Sequence, residues 1–159
     1  TKDWHPSNHK SFASQHKDKK EFDIVDLNGI EQVLWPDHCV QDTPGSEINK
    51  DVDLNLPNMY IFKKGMDEGI DSYSGFYDND GKSSTGLYEF LTEKDVTKTY
   101  ICGLATDFCA KFTALDSVKK GFDTHFIWDA TRGIGEDLTP VMHELFDNGV
   151  NVIDFEYLK

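Results

Sequence analysis

Chemistry and spacing coincide in Ile101-Cys102-Gly103-Leu104-Ala105-Thr106-Asp107-Phe108-Cys109. The apolar run to Leu104 reads as a strand, Ala-Thr-Asp breaks it, and the spacing beyond reads as a helix with Cys109 in its first turn. A thiol there feels the positive end of the helix dipole and nearby unpaired backbone N–H groups, which favour the nucleophilic thiolate. The same N–H groups can stabilise an oxyanion. The competing reading makes Cys109 a small buried hydrophobe, the commonest fate of a free cysteine, and the local pattern leaves both readings open. Cys102, in mid-strand, and Cys39 read as packing residues. The three cysteines match neither a disulfide framework nor a zinc-finger spacing.

A second cluster joins Asp3-Trp4-His5-Pro6-Ser7-Asn8-His9 to Trp35-Pro36-Asp37-His38-Cys39. Two neutral imidazoles and a carboxylate suit a first-row divalent metal with open positions, as in catalytic zinc sites. Short Asp/His clusters also serve as turn and capping residues, so spacing alone does not separate the two uses. Lys64, before Gly65, can supply a cation that lowers a neighbouring thiol's pKa, or it can be solvated. Trp35 and Tyr73 can wall an aromatic pocket or pack within loops. Asp26 precedes an Asn-Gly turn and reads as a loop carboxylate.

These residues need elements to hold them. The first half, to about Ser84, is rich in Pro, Gly, Asn, Asp and His and reads mostly as loop, with one buried strand over Met59–Lys64 that places Lys64 at its C-terminal end. From Thr85 the pattern is regular. It predicts a helix over Gly86–Lys94, a strand over Thr99–Leu104 and a helix over Asp107–Lys120 closed by Gly121. A strand over His125–Trp128, a helix over Leu138–Asn148 closed by Gly149, and a strand over Asn151–Phe155 follow. Strands alternating with helices across short joints imply an α/β fold: a parallel sheet flanked by helices on both faces, with the site at the strands' C-terminal ends.

The 159 residues suit one domain, in which residues 1–84 form a loop-rich region for metal and substrate and residues 85–159 a regular βα region. With 38% hydrophobic and 28% charged residues the chain is that of a folding globular protein. A net charge of -13 leaves no basic stripe for phosphates, which disfavours nucleic acid and anionic membranes as partners. No apolar run has the length of a membrane span and the chain opens on polar Thr1-Lys2-Asp3, so a cytoplasmic location is expected.

Taken in order, the blocks Asp3-Trp4-His5-Pro6 with Asn8-His9 and Ser11-Phe12-Ala13, Gln32 to Val40, Lys64-Gly65, Tyr73-Ser74-Gly75-Phe76 and Gly103 to Cys109 resemble the nicotinamidase/pyrazinamidase branch of the isochorismatase-like cysteine hydrolases. The resemblance implies a three-layer α/β/α fold and an amidase that converts nicotinamide, or pyrazinamide-like amides, to the acid and ammonia through a thioester, in NAD salvage. It makes Cys109 the nucleophile, Lys64 a member of the catalytic triad, and Asp3, His5 and His38 ligands of one divalent metal, zinc first, with Fe2+ or Mn2+ also compatible. His9 is either a further ligand or a group that orients the ligands. The backbone N–H groups of Ala105 and Cys109 would form the oxyanion hole after a cis peptide preceding Ala105. Trp35, Tyr73 and Leu104 would enclose the substrate ring.

One departure from the family pattern is plain. Its third catalytic group is an aspartate in an Asp-x-Gln-x-Asp-Phe pattern at the end of the first, central strand, and that pattern is absent here. A sheet lacking that strand would leave backbone groups unpaired, so the chain is expected to be N-terminally incomplete, with the missing segment or a second copy as a partner. Two alternatives stand beside nicotinamide hydrolysis. One is another heteroaromatic amide hydrolase of the same superfamily; the other is an inactive metal-binding fragment.

Overall fold

The computed structural model describes all 159 residues, and its internal packing divides them into two compact units. The first comprises Thr1–Ser72 and Asp78–Thr85, the second Tyr73–Tyr77 and Gly86–Lys159. No helix is long and apolar enough to cross a membrane.

The first unit contains no α-helix. Its elements are β1 (Lys2–Asp3), the hairpin of β2 (Ile24–Leu27) and β3 (Ile30–Val33), β4 (Lys63–Lys64), and two 3-10 turns at Ala13–Gln15 and Pro44–Ser46. Strands β1 and β4 run parallel, with Lys2 opposite Lys63 and Asp3 opposite Lys64. The chain beyond Asp3 stays extended and makes a parallel bridge from His5 to Val40. Segment 2–5 is therefore gripped on two sides. The Lys2 and Trp4 N–H groups donate to the Phe62 and Lys64 carbonyls (2.8 and 3.0 Å), while the His5 N–H donates to the Cys39 carbonyl (3.0 Å) and the His5 carbonyl accepts the Gln41 N–H (2.8 Å). The only fully buried large apolar side chains here are Phe12 and Leu34; His5, His9, Ser11 and Gln32 share that interior. In the β2–β3 turn, Asp26 Oδ1 accepts the Gly29 N–H (2.9 Å), so Asp26 is a turn carboxylate as its neighbours suggest.

The strand expected over Met59–Lys64 shrinks to the two residues of β4, and Met59, Tyr60 and Ile61 are exposed. Apolar, β-prone composition does not make a strand without a backbone partner, and β1 supplies one only opposite Lys63 and Lys64.

The second unit has the expected βα alternation. It is built from α1 (Leu87–Glu93), β5 (Lys98–Leu104), a π-helical turn (Thr106–Ala110), α2 (Lys111–Lys119), β6 (Asp123–Arg132), α3 (Thr139–Asp147), β7 (Asn151–Ile153) and a terminal 3-10 turn (Phe155–Leu158). The sheet is parallel throughout, in the order β5-β6-β7. Central β6 buries four residues in a row, Thr124–Ile127, as a strand paired on both sides does. Val141 and Leu145, one helical turn apart on α3, meet Ala110, Ala114, Leu115, Phe126 and Val150 in one core. Leu145 is fully buried, and its truncation to alanine would cost about 2–5 kcal/mol. Gly121 and Gly149 follow α2 and α3 in left-handed conformation (φ 90° and 83°), the helix closures their positions foretell.

Two expectations change in this unit. Cys102 is exposed, not packed: it lies on the face of β5 that also carries exposed Tyr100 and Leu104, whereas Ile101, of opposite parity, joins the core. The helix expected over Asp107–Lys120 begins as a π-turn, in which the Ala110 N–H reaches the Ala105 carbonyl (3.0 Å). Side-chain ties account for the wider turn. Asp107 accepts the N–H groups of Ile134 (3.1 Å) and Gly135 (2.8 Å), and the Thr106 hydroxyl donates to that of Thr131 (2.9 Å). Single π-turns recur at functional sites.

Candidate active site

In the first unit the extended segment 2–5 sets Asp3 and His5 two residues apart, so their side chains leave the same face. The bridge to Val40 carries His38 to that face, and β4 carries Lys64. The ligand atoms of Asp3, His5 and His38 consequently lie within 4.8 Å of one another, with His5 Nε2 4.0 Å from Asp3 Oδ1. The rings of His5 and His38 meet edge to face, their centroids 4.9 Å apart.

The hydrogen bonds around these two rings decide which nitrogens face the site. His5 Nδ1 is 2.8 Å from the Gly65 carbonyl and His38 Nδ1 is 2.8 Å from the Pro36 carbonyl. A carbonyl only accepts, so each Nδ1 carries the proton and each Nε2 keeps its lone pair. This is the usual outer-sphere arrangement of metal-binding histidines. His5 is 1% exposed, and burial holds its pKa below the ordinary 6.5, which keeps the ring neutral and able to ligate. A carboxylate with two imidazoles so oriented fits a first-row divalent cation.

Gly65 makes the close approach to His5 possible. It has φ +63°, and a Cβ at that position would stand 2.3 Å from His5 Cε1 and 2.6 Å from Nδ1. Only glycine lets the backbone come near enough for its carbonyl to hold the ring.

Lys64 is buried (4% exposed) and donates to Asp3 Oδ1 (2.5 Å) and to the Ser72 carbonyl (2.5 Å). It is thus an ordered cation rather than a solvated one. Trp35 is buried, with Phe22 against its ring edge to face at 5.9 Å. Cys39 is half-buried, and burial, assisted by the Asp3 carboxylate, pushes its thiol pKa up, away from nucleophilic use.

His9 and Asp71 complete the buried polar group. His9 is fully buried with its ring 4.5 Å from that of His5, and burial lowers its pKa as well. Asp71 accepts the Ser72 N–H (2.8 Å) and the Gln32 side-chain amide (2.9 Å), and its ligand atoms lie within 4.8 Å of those of His5 and His9. Asp71, Gln32, Ser72 and Gly65 escape sequence reasoning. The partners that tie them into the site are 8 to 60 positions away, and only Gly65, beside Lys64, carries a local signal.

The second unit holds Leu104, Ala105, Cys109 and Tyr73. The Leu104–Ala105 peptide is cis, as the resemblance implies. Cys109 lies half-buried in the π-turn, and its carbonyl accepts the Thr113 hydroxyl (2.6 Å), which in turn accepts the Gly75 N–H (2.8 Å). Tyr73 packs against Phe108 and Phe112, both at 5.4 Å. Leu104 is 73% exposed. The structure thus brings Asp3, His5, His38 and Lys64 together in one unit and Tyr73, Leu104, Ala105 and Cys109 in the other.

Residues 8–156 match the isochorismatase domain family. The nicotinamidase of Acinetobacter baylyi is 43% identical over 155 residues, an alignment covering 96% of this chain and 72% of that protein. Among solved structures, yeast nicotinamidase bound to the inhibitor nicotinaldehyde superposes with a TM-score of 0.89 at 32% identity, over 96% of this chain and 77% of that one. The pyrazinamidase of Pyrococcus horikoshii in complex with zinc gives 0.75 at 33% identity, over 97% and 73%. The chain belongs to the isochorismatase family and, within it, to the nicotinamidases.

Proposed function

We propose that the protein hydrolyses nicotinamide, and amides of related ring shape, to the carboxylic acid and ammonia, with Cys109 as nucleophile and Asp3, His5 and His38 as ligands of a single divalent metal. The observation that carries this reading beyond family membership is the Asp3-His5-His38 triad. Its nitrogens are oriented for a cation, which favours the metal-using branch over superfamily members that work without one. A zinc-bound pyrazinamidase and a nicotinaldehyde-bound nicotinamidase among the similar structures support metal and substrate class alike.

The Cys109 thiolate attacks the carboxamide carbon, and the carbonyl oxygen becomes an oxyanion held by the backbone N–H groups of Ala105 and Cys109. Collapse of the tetrahedral adduct breaks the C–N bond; the nitrogen takes up the proton that left the thiol and departs as ammonia. Water then adds to the thioester, releasing the acid and restoring the thiol. The proton carrier is the family's aspartate, whose sequence pattern does not occur among these residues. Lys64, ordered by Asp3 and Ser72, is by the family resemblance the lysine of the triad, whose positive charge would favour the thiolate. By the same resemblance Trp35, Tyr73 and Leu104 would enclose the ring. A divalent ion on Asp3, His5 and His38, zinc first and Fe2+ or Mn2+ by the same donors, supplies a Lewis acid for the ring nitrogen. The acidic composition and the absence of a membrane-spanning helix support action in the cytoplasm on a small neutral molecule.

The test is ammonia release from nicotinamide by the zinc-supplemented protein, with benzamide, which lacks the ring nitrogen, as comparison. Release from nicotinamide well above benzamide is expected; equal turnover of both would remove the ring-nitrogen role, and zinc uptake without turnover would favour a metal-binding module or a chain that lacks the family's aspartate.

A further inference from the structure

His9 lies close enough to the metal ligands to be counted among them, yet its hydrogen bonds set it apart. Both His5 and His38 turn Nδ1 to a backbone carbonyl, at 2.8 Å each, so that Nδ1 holds the proton and Nε2 a lone pair. His9 is the reverse. Its Nδ1 receives the backbone N–H of Ser11 (3.2 Å), and the Ser11 hydroxyl lies 2.7 Å from the same nitrogen. A backbone N–H cannot accept, so His9 Nδ1 must present its lone pair, and the proton of the neutral ring sits on Nε2. The Ser11 hydroxyl, able to act either way, then serves as a second donor to the same lone pair. His9 Nε2 is fully buried and has no protein hydrogen-bond partner. The Asp71 carboxylate, with its ligand atom within 4.8 Å of those of His5 and His9, is an acceptor, which suits an N–H and opposes a lone pair.

We infer that His9 is a positioning residue of the metal site and not a fourth ligand: Ser11 holds it as the Nε2–H tautomer, and its ring fixes the orientation of His5. Packing agrees with that role. The His5 ring lies between its neighbours, 4.5 Å from His9, 4.9 Å from His38 and 5.6 Å from Phe12, so removing His9 leaves a gap on one side of a ligand. The Nε2 proton is then available to Asp71, directly or through one buried water. Ligation through Nε2 would require the Ser11 contact to break. Three protein ligands leave coordination positions open for a substrate ring, as catalytic sites require. The inference rests on the assignment of Asp3, His5 and His38 as ligands.

Long-range 1H–15N correlation spectra of the histidine rings, recorded on the full chain with and without zinc, test it without any assay of turnover. His9 is expected as Nε2–H in both samples, with His5 and His38 as Nδ1–H and their Nε2 signals moved by zinc. A His9 ring carrying its proton on Nδ1 and showing a zinc-shifted Nε2 would overturn the inference. Zinc titration of His9→Gln, which can restore a donor near the Nε2 position, and of His9→Leu adds a rescue criterion. Both variants should bind one zinc per chain, His9→Gln within ~3-fold of wild type and His9→Leu ~10- to 100-fold more weakly, the usual range for lost outer-sphere partners. Loss of zinc from His9→Gln as complete as from His38→Ala would overturn it. Failure of the wild type to bind zinc would instead sink the ligand assignment, and the tautomer of His9 in the metal-free spectrum would still decide its hydrogen bonding.

Discussion

Lys64 Nζ stands 2.5 Å from Asp3 Oδ1, joining two residues that face each other across a parallel strand pair, and the side chains are only 3% and 21% exposed. A buried ion pair is weak evidence of net stabilisation, but removal of one partner strands the other charge. Lys64→Met should therefore destabilise the fold by about 3–5 kcal/mol. Urea denaturation measures this, and a loss below about 1 kcal/mol would show the pair to be solvated in practice.

Cys109→Ala should lower ammonia release by at least ~10^3-fold, the scale on which loss of a nucleophile is felt. Zinc content should be unchanged, because no ligand lies near position 109 in sequence or within its unit. Metal analysis alongside the assay separates the two effects, and retained turnover would refute the nucleophile.

Asp3→Ala combined with His38→Ala should leave no stoichiometric zinc after gel filtration. Chelation of the wild type should weaken nicotinamide binding more than it slows alkylation of Cys109 by iodoacetamide, since on the proposed reading the metal orients the substrate ring and Cys109 is not among its ligands. Zinc retained by the double variant would contradict the ligand set.

Gly65→Ala should prove costly for so small a change. The added methyl would overlap the His5 ring at 2.3–2.6 Å, and φ +63° is unfavourable for a side chain. Together these effects should cost about 2–4 kcal/mol. The sharper readout is zinc affinity, which should fall because the Gly65 carbonyl orients His5. A variant with wild-type affinity would show that the ring is held by other means.

The pH dependence of the metal-free protein has a definite sign. Burial lowers the pKa values of His5 and His9 below 6.5, so between those values and 6.5 the unfolded chain binds more protons than the folded one. Their contribution to stability is present above about pH 6.5 and is lost as pH falls below it. Urea midpoints from pH 7.5 to 5 should drop, and His5→Asn should show a shallower slope over that window. Parallel slopes would mean that His5 does not carry the linkage.

Much of the second unit is legible in the sequence alone. Alternating periodicities, with Gly121 and Gly149 as stops, are local signals, and β5, α2, β6, α3 and β7 follow them to within a few residues. The departures come from contacts that local patterns do not carry. Asp107 reaches Ile134 and Gly135, about 27 residues away, and the first helical turn opens into a π-turn. The apolar stretch Met59–Ile61 lacks a partner and stays out of β4.

The same division holds for the site. The sequence by itself determined which residue types are available: a thiol after a strand break, a lysine before glycine, and a carboxylate with imidazoles in two short motifs, in the order of the nicotinamidase family. Only the tertiary structure decided what each one does. Strand register set Lys64 on Asp3, and Gly65 and Pro36 turned two imidazoles so that Nε2 is left bare. Ser11 holds the third in the opposite tautomer. The physical reason is that a proton's place on a histidine depends on whichever donor or acceptor the fold brings against the ring, and for His5 that group lies 60 residues away in the chain.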